Sequence, residues 1–272
     1  MNAPAAAVRN APPLIHETRG GIAVLTMDRP QQRNTLSEAM LAAFAETLAA
    51  IAADRAVRAV VLAANGPVFC AGHDLKELTA HRADADRGKR YFQRIMETCS
   101  GVMQAIVTLP QPVIAAVQGT ATAAGCQLVA TCDLAVASSA AQFCTPGVNI
   151  GLFCSTPMVA LSRNVAPKHA MEMLLTGDMM SAEEARRFGL VNSVVDRGGE
   201  LEAALELARK IAEKSALVVK IGKEAFYRQR EMRLDEAYRY ASQVMTENML
   251  ARDAEEGIAA VLEKRTPHWE DR

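Results

Sequence analysis

Two glycine-broken stretches hold the residues best suited to chemistry. Val113 to Val117 is a run of five apolar residues that predicts a buried strand. The chain breaks at Gly119, passes through the small residues Thr120 to Ala124, and is predicted to enter a helix from Gly125. A strand, a tight turn and a helix start aim free backbone N–H groups and a partial positive charge at one spot, which suits an oxygen that becomes negative during a reaction. Taken alone, the stretch reads first as a packing turn, small because backbones approach closely there. Asn65-Gly66-Pro67 followed by Val68 to Leu75, with Gly72 and His73 at its centre, is a second passage of the same kind.

The elements that must position these turns alternate strand with helix, which predicts an α/β fold. Leu14–Thr18 and Ile22–Met27 flank Gly20-Gly21 and predict a hairpin. Ser37 is a plausible N-cap for a helix to Ala53, with Met40, Phe44, Leu48 and Ile51 on one face. Ala59–Ala64 reads as a strand covered on both sides, and Leu134–Ala137 as another short strand. Lys76 to Arg90, charged and without an apolar face, is expected to be solvated and mobile. A helix follows from Tyr91 through Val107 to the stop at Pro110 and Pro112. Ala141 to Gly151 is expected to be loop. Thr156-Pro157 looks like an N-cap with proline at the first helical position, and Ser181 to Glu184 is a capping box. From Gly198 the chain is nearly all helix, predicted over 201–214, 217–230, 234–252 and 255–264. The expected organisation is a loose tail over 1–13, an α/β core over 14–197 and a helical region over 198–272 that supplies an extra layer or an oligomer surface. No fixed-period repeat is visible.

The 272 residues are half hydrophobic, 4% aromatic and carry a net charge of −1, so the core is aliphatic and there is no basic block for nucleic acid. No apolar run approaches the roughly 20 residues of a membrane span. The six cysteines form no C-x-x-C pair and match no zinc ligand set, and a reduced compartment is their simplest account. Residues 1–13 carry one arginine and no apolar core, too little for a transit or secretory leader, so the expected location is the cytoplasm.

Several stretches in order resemble one family. Arg29-Pro30 with Asn34 and Leu36, Phe69 to Leu75, Ala123 to Leu128 with Cys132-Asp133, Ala141 to Gly151, and Leu174 to Gly177 each match a motif of the crotonase (enoyl-CoA hydratase/isomerase) superfamily. Ala185 with Gly189 to Val191, and the closing Glu263 to Arg265, continue the match, so that it covers roughly residues 14 to 270. Ala124 to Leu128 with Gly151 to Pro157 is similar to a divergent branch, the enoyl-CoA hydratase domain-containing type 3 proteins. The resemblance implies a crotonase-like spiral of ββα units with a helical C-terminal trimerisation region, assembled as a homotrimer or a hexamer of two trimers. It implies an acyl-CoA thioester as ligand, no separate cofactor, and coenzyme A as part of the substrate. The backbone N–H groups of His73 and Ala124 would hold the thioester oxygen. Asp74, Leu75 and Lys76 would lie along the adenine, and Lys264 near the CoA phosphates.

The same resemblance exposes a gap. Hydratases of the family use two glutamates, and their positions here hold Gln127 and Gly147, with the family spacing of 20 positions kept. An amide can orient a water but cannot take its proton, and glycine offers nothing. General acid–base help is worth 10²–10⁴ per group, so hydratase activity is expected to be weak or redirected. A malonyl-type decarboxylase, which needs no base, and a non-catalytic acyl-CoA-binding protein are the alternatives. Asp74 and Asp133 match positions that look structural, through capping or ion pairing. Cys126, Cys144 and Cys154 cluster by motif near the acyl pocket without a sequence-evident base, and the imidazole of His73 is expected to point away, leaving only its N–H in play.

Overall fold

The computed structural model describes residues 11–272. β1 (Leu14–Arg19) and β2 (Ile22–Met27) form the expected antiparallel hairpin, with Gly20 and Gly21 at φ +56° and +78°. α1 (Glu38–Ala53) starts where Ser37 accepts a hydrogen bond from the Met40 N–H, and it buries Met40, Leu41, Phe44, Leu48 and Ile51. The tail expected over 1–13 lies largely outside the described residues. Its end at 11–13 is tied down: Asp28 N–H donates to Pro13 O at 2.8 Å, and the Arg29 guanidinium reaches Ala11 O and Pro12 O.

Three strand pairs then repeat one move. β3 (Ala59–Ala64) leads to β4 (Val68–Cys70), β5 (Val113–Val117) to β6 (Thr120–Thr122), and β7 (Leu134–Ser138) to β8 (Gln142–Cys144). The first member of each pair joins a six-stranded sheet ordered β1-β2-β3-β5-β7 and then β10 (Ser193–Val195). The second joins a four-stranded sheet ordered β4-β6-β8 and then β9 (Met180–Ser181). Helices follow the pairs: α2 (Leu75–Ala80) and α3 (Lys89–Thr108), then α4 (Ala124–Thr131), then α5 (Ser155–Asn164). This is the ββα spiral that the resemblance implied. Crossing between sheets demands close backbone approach, and at Gly119 a Cβ would lie 2.1 Å from Pro67 O, which only glycine permits. α6 (Pro167–Thr176) ends on Gly177 in the left-handed region, and α7 (Ala182–Phe188) carries the Ser181–Glu184 capping box.

The segment 76–90, expected to be mobile, is folded. Asp74 caps α2, the His81 ring stacks on Tyr91 with centroids 3.5 Å apart, and Gly88 packs against the Phe92 ring. Its charges hid the cap and the aromatic anchor that order it. The region 141–151 is not all loop, since β8 precedes a short 3-10 turn over Pro146–Ile150. Thr156 is not an N-cap: α5 already begins at Ser155, and Cys154, at the cap position, makes no side-chain capping bond.

The larger core lies among α1, α3, α4 and the two sheets, and includes Phe44, Phe69 and Phe143. A second cluster covers the outer face of the six-stranded sheet, where α8 (Glu200–Ala212) lays Ala204, Leu205 and Ala208 over Val61, Ile114 and Val136. α8 therefore packs as a layer on the core sheet. Beyond it, α9 (Ala216–Gln229), α10 (Leu234–Met249) and α11 (Arg252–Glu263) leave Phe226, Leu234, Tyr238, Met245, Leu250, Val261 and Leu262 exposed.

Candidate active site

The site forms at the C-terminal ends of three parallel strands, β4, β6 and β8. Open parallel sheets commonly place ligands at such ends. The bends leaving β4 and β6 press on each other. Gly72, at φ +82°, lies so close to the next bend that a Cβ there would sit 3.1 Å from Ala123 Cβ and 3.2 Å from Ala124 N. Reciprocally, a Cβ on Gly125 would fall 2.1 Å from Cys70 O. Glycine at both positions is what lets the two chains touch.

Some backbone groups around the contact are committed to partners. Ala71 N–H donates to Arg33 O at 3.0 Å, Leu36 N–H to Gly72 O at 2.8 Å, and Ala123 N–H to Cys144 O at 2.9 Å. Among the described residues, the N–H groups of His73 and Ala124, like those of Gly72 and Gly125 beside them, donate to no protein acceptor. Buried donors are rarely left unmade, and Ala124 is 1% exposed. It opens α4, whose N-terminus adds partial positive charge. Free backbone donors that converge on one point are what an oxyanion requires. Ala123 is held at φ +50°, ψ −118°, a conformation that strains an L residue.

Gln127 lies one helical turn beyond Ala124, 4% exposed, with its Oε1 unpartnered. Gly147 is buried, and the space a side chain would use is filled: a Cβ there would meet Cys154 Sγ at 2.9 Å and Leu152 O at 2.9 Å. No carboxylate is found hydrogen-bonded to either position among the described residues. The His73 imidazole is largely buried with neither ring nitrogen hydrogen-bonded. Burial pushes its pKa below the ordinary histidine value, with the nearby Leu36 backbone opposing part of that shift, so the ring is neutral at pH 7.

Asp74 is committed to structure. Its Oδ1 accepts from Lys76 N at 2.8 Å and Glu77 N at 3.3 Å, and its Oδ2 from Thr35 Oγ1 at 3.3 Å. Leu75 and Lys76 are exposed on the outer side of α2. Asp133 accepts from Lys223 Nζ at 2.7 Å, Tyr227 OH at 2.9 Å and Val113 N at 2.7 Å, which is the ion-pairing role its motif suggests. Lys264 caps the end of α11 at φ +57°, and no hydrogen bond or ion pair among the described residues joins it to the bends. The thiols are poor nucleophiles. Burial raises Cys144 to about 11 and pushes Cys126 and Cys154 upward, and the Cys154 thiol meets the Gly147 backbone. Sequence reading missed Thr145, which is 1% exposed with its Oγ1 unpartnered. It occupies a variable slot in its motif and gives no pattern of its own.

Comparison with known proteins places the chain in a family and agrees with this fold. The enoyl-CoA hydratase/isomerase family model matches residues 17–272. The human mitochondrial enoyl-CoA hydratase domain-containing protein 3 is 48% identical over 249 residues, covering 92% of this chain and 80% of that protein. Its crystal structure superposes with a TM-score of 0.90 at 47% identity, covering 94% of this chain and 100% of that one. An enoyl-CoA hydratase structure from Mycobacterium smegmatis gives a TM-score of 0.90 at 50% identity, covering 95% and 99%. The cytoplasmic location expected from the sequence is contradicted by these relatives: the human protein and its rat counterpart, 47% identical over 249 residues, are both named as mitochondrial. With full-length matches in sequence and fold, and paired glycine bends at the strand ends, the chain belongs to the enoyl-CoA hydratase/isomerase (crotonase) family, in its domain-containing protein 3 branch.

Proposed function

We propose that this chain binds an acyl-CoA thioester with the carbonyl oxygen between the N–H groups of His73 and Ala124, and that it hydrates enoyl-CoA weakly or runs a redirected reaction on the same thioester. The observation that supports this is the pair of uncommitted amides on touching bends, beside positions where Gln127 and Gly147 replace the two glutamates. Polarising the thioester needs only the amides, and one such donor is worth about 10²–10³ in rate in a well-studied acyl-transfer site. Activating water needs a base, and each missing acid–base group costs about 10²–10⁴. Lys76, exposed on α2, and Lys264 are proposed to meet the CoA moiety, Lys264 from a neighbouring subunit. The exposed apolar side chains of α9–α11 are proposed to be covered in a homotrimer or in a hexamer of two trimers.

The test is calorimetric titration with butyryl-CoA and free CoA, alongside hydration assays on short, medium and long trans-2-enoyl-CoAs. Expected are tighter binding of the thioester than of free CoA, and hydration at least 10²-fold slower than by a family member with both glutamates. Undiminished hydration at any chain length, or no preference for the thioester, overturns the reading. Light scattering coupled to size exclusion reads the assembly, and a monomer refutes the trimer.

A further inference from the structure

Asn34 is fully buried and stands in the left-handed region at φ +50°, directly after Arg33 at φ +54°. Asparagine tolerates that backbone, but glycine fits it without steric cost, so the side chain has a reason of its own. Both amide hydrogens and the amide oxygen are used. Oδ1 accepts from Arg29 N at 2.8 Å, and Nδ2 donates to Asn65 O at 2.9 Å and to Val68 O at 2.8 Å. Asn65 and Val68 bound the turn by which the chain leaves β3 and enters β4. That turn takes a third side-chain amide, from Gln118 Nε2 to Gly66 O at 3.0 Å, and Gly119 packs against Pro67 O. The residues around Asn34 hold the other end of β4. Ala71 N–H donates to Arg33 O at 3.0 Å, Leu36 N–H donates to Gly72 O at 2.8 Å, and Leu36 forms an isolated parallel bridge with His73. One short loop therefore grips β4 at its entry and beyond its exit, where His73 stands.

We propose that Asn34 is a positioning residue for the His73 N–H, setting the bend after β4 by clamping the turn before it. The inference rests on the acyl-CoA reading above and names what holds one of its two donors in place. β4 is an edge strand of three residues that pairs only with β6 among the described residues, with a register shift between Val68 and Cys70. Such irregular pairing, on one side only, fixes the end of a strand weakly. The Asn34 amide supplies the hold on the other side. Glycine at 34 removes all three bonds and relaxes the backbone. Aspartate keeps the acceptor, loses both donors and sets a carboxylate against two carbonyl oxygens. Either change frees the entry of β4, so the His73 N–H moves off the point it shares with the Ala124 N–H. A preorganised donor acts through its placement, so displacement weakens it without removing it.

The full chain, N34G, N34D and Q111L are compared by calorimetric titration with butyryl-CoA and free CoA, and by the absorption band of bound 2,4-hexadienoyl-CoA. A conjugated dienoyl thioester absorbs further to the red as its carbonyl is polarised, so the band reads the donors in folded, loaded protein alone. Wild type is expected to move the band to the red. N34G and N34D are expected to lose most of that shift, together with about tenfold of the preference for butyryl-CoA over free CoA, the worth of one ordinary hydrogen bond. Free CoA should bind them as it binds wild type. N34D keeps the bond from Arg29 N and carries the test should N34G fail to fold. Q111L is the matched control. Gln111 is 7% exposed, and its Nε2 donates to Ile51 O at 3.0 Å and Asp54 O at 3.2 Å, at the end of α1 and ahead of β5. It should melt below wild type with band and preference unchanged. A destabilised Asn34 variant that keeps the wild-type band and preference makes the side chain purely structural and overturns the proposal, leaving acyl-CoA binding intact. So does an equal loss in Q111L, which would report general softening. No red shift in wild type, or no preference for the thioester over free CoA, overturns the acyl-CoA reading, and the inference falls with it.

Discussion

At the scale of single residues, the site is defined as much by what cannot be added as by what is present. Gly147, proposed to stand where related hydratases carry a glutamate, has Cys154 Sγ and Leu152 O filling the volume beside it, each 2.9 Å from where a Cβ would stand. The 3-10 turn and the residues after it have closed over that volume, so a side chain there needs the loop to move. G147A is expected to lose about 1–3 kcal/mol, the usual cost of overpacking. C154A in the same chain should recover part of the loss, the Leu152 carbonyl retaining the rest, as read by urea denaturation of the two variants. G147E should leave crotonyl-CoA hydration no faster than wild type. A G147A protein with wild-type stability would show that the loop yields. Ala123 gives the opposite prediction. Its φ of +50° stores strain of order 1–3 kcal/mol, and glycine costs about 0.5–1 kcal/mol in chain entropy, so A123G is expected to stabilise by about 1 kcal/mol. A differential scan should show a melting temperature higher by a few degrees. The glycines and Ala124 could be read from the sequence because family motifs fix them. Thr145 could not, because a lone threonine before proline carries no spacing rule, and only its burial without a partner marks it.

At the scale of elements, the work is done by three short strands that deliver their ends to one place. β3, β5 and α1 were legible because each is long enough to show a continuous apolar run or a repeating face. β6, β8 and β10 have three residues each, too few for periodicity to register, and the tertiary pairing that creates them is invisible in a linear chain. The reading of 76–90 as mobile failed for a related reason: charge density was weighed above the Asp74 cap that starts α2. The junction between elements carries the next prediction. Gly125, the second residue of α4, packs against the bend after β4, and a Cβ there would overlap Cys70 O at 2.1 Å. Backbone cannot step aside as a flexible side chain can, so G125A must push α4 away from β4 and separate the His73 and Ala124 amides. The expected outcome is destabilisation together with at least a tenfold loss of butyryl-CoA affinity, whereas G222A, on α9 with open space around it, should change neither. Wild-type affinity in G125A would sink the idea that the close contact sets the amide geometry.

For the molecule as a whole, the chain closes on itself. Arg58, whose N–H donates to Gly21 O in the hairpin, also pairs with Asp271 at the far end of the sequence. Asp271 in turn accepts from Ala216 N at 2.7 Å, Asp253 accepts from Glu270 N and Asp271 N at 2.7 and 3.0 Å, and Trp269 donates to Glu213 O at 2.8 Å. The tail after α11 thus straps α8, α9 and α11 to the start of the core, an arrangement that no local pattern in 265–272 announces. The turn into the strap is held by Glu256, which accepts from both Arg265 Nη1 and Nη2, at 2.5 and 2.9 Å, and from His268 N at 2.8 Å. Those partners, the Arg265 guanidinium foremost, pull the Glu256 pKa from 4.5 to about 2. A carboxylate whose folded-state pKa is depressed adds stability that is fully present above its unfolded value and is lost as pH falls toward the folded one. The stability difference between wild type and E256Q is therefore expected to be constant above about pH 4.5 and to close between there and about pH 2. Urea midpoints measured for both proteins across that range decide it. A gap that persists unchanged to the acid end would mean that shape rather than charge holds the strap. A gap that instead opened as the pH fell would reverse the sign of the argument, because the ionised carboxylate would then be the less stable partner of Arg265.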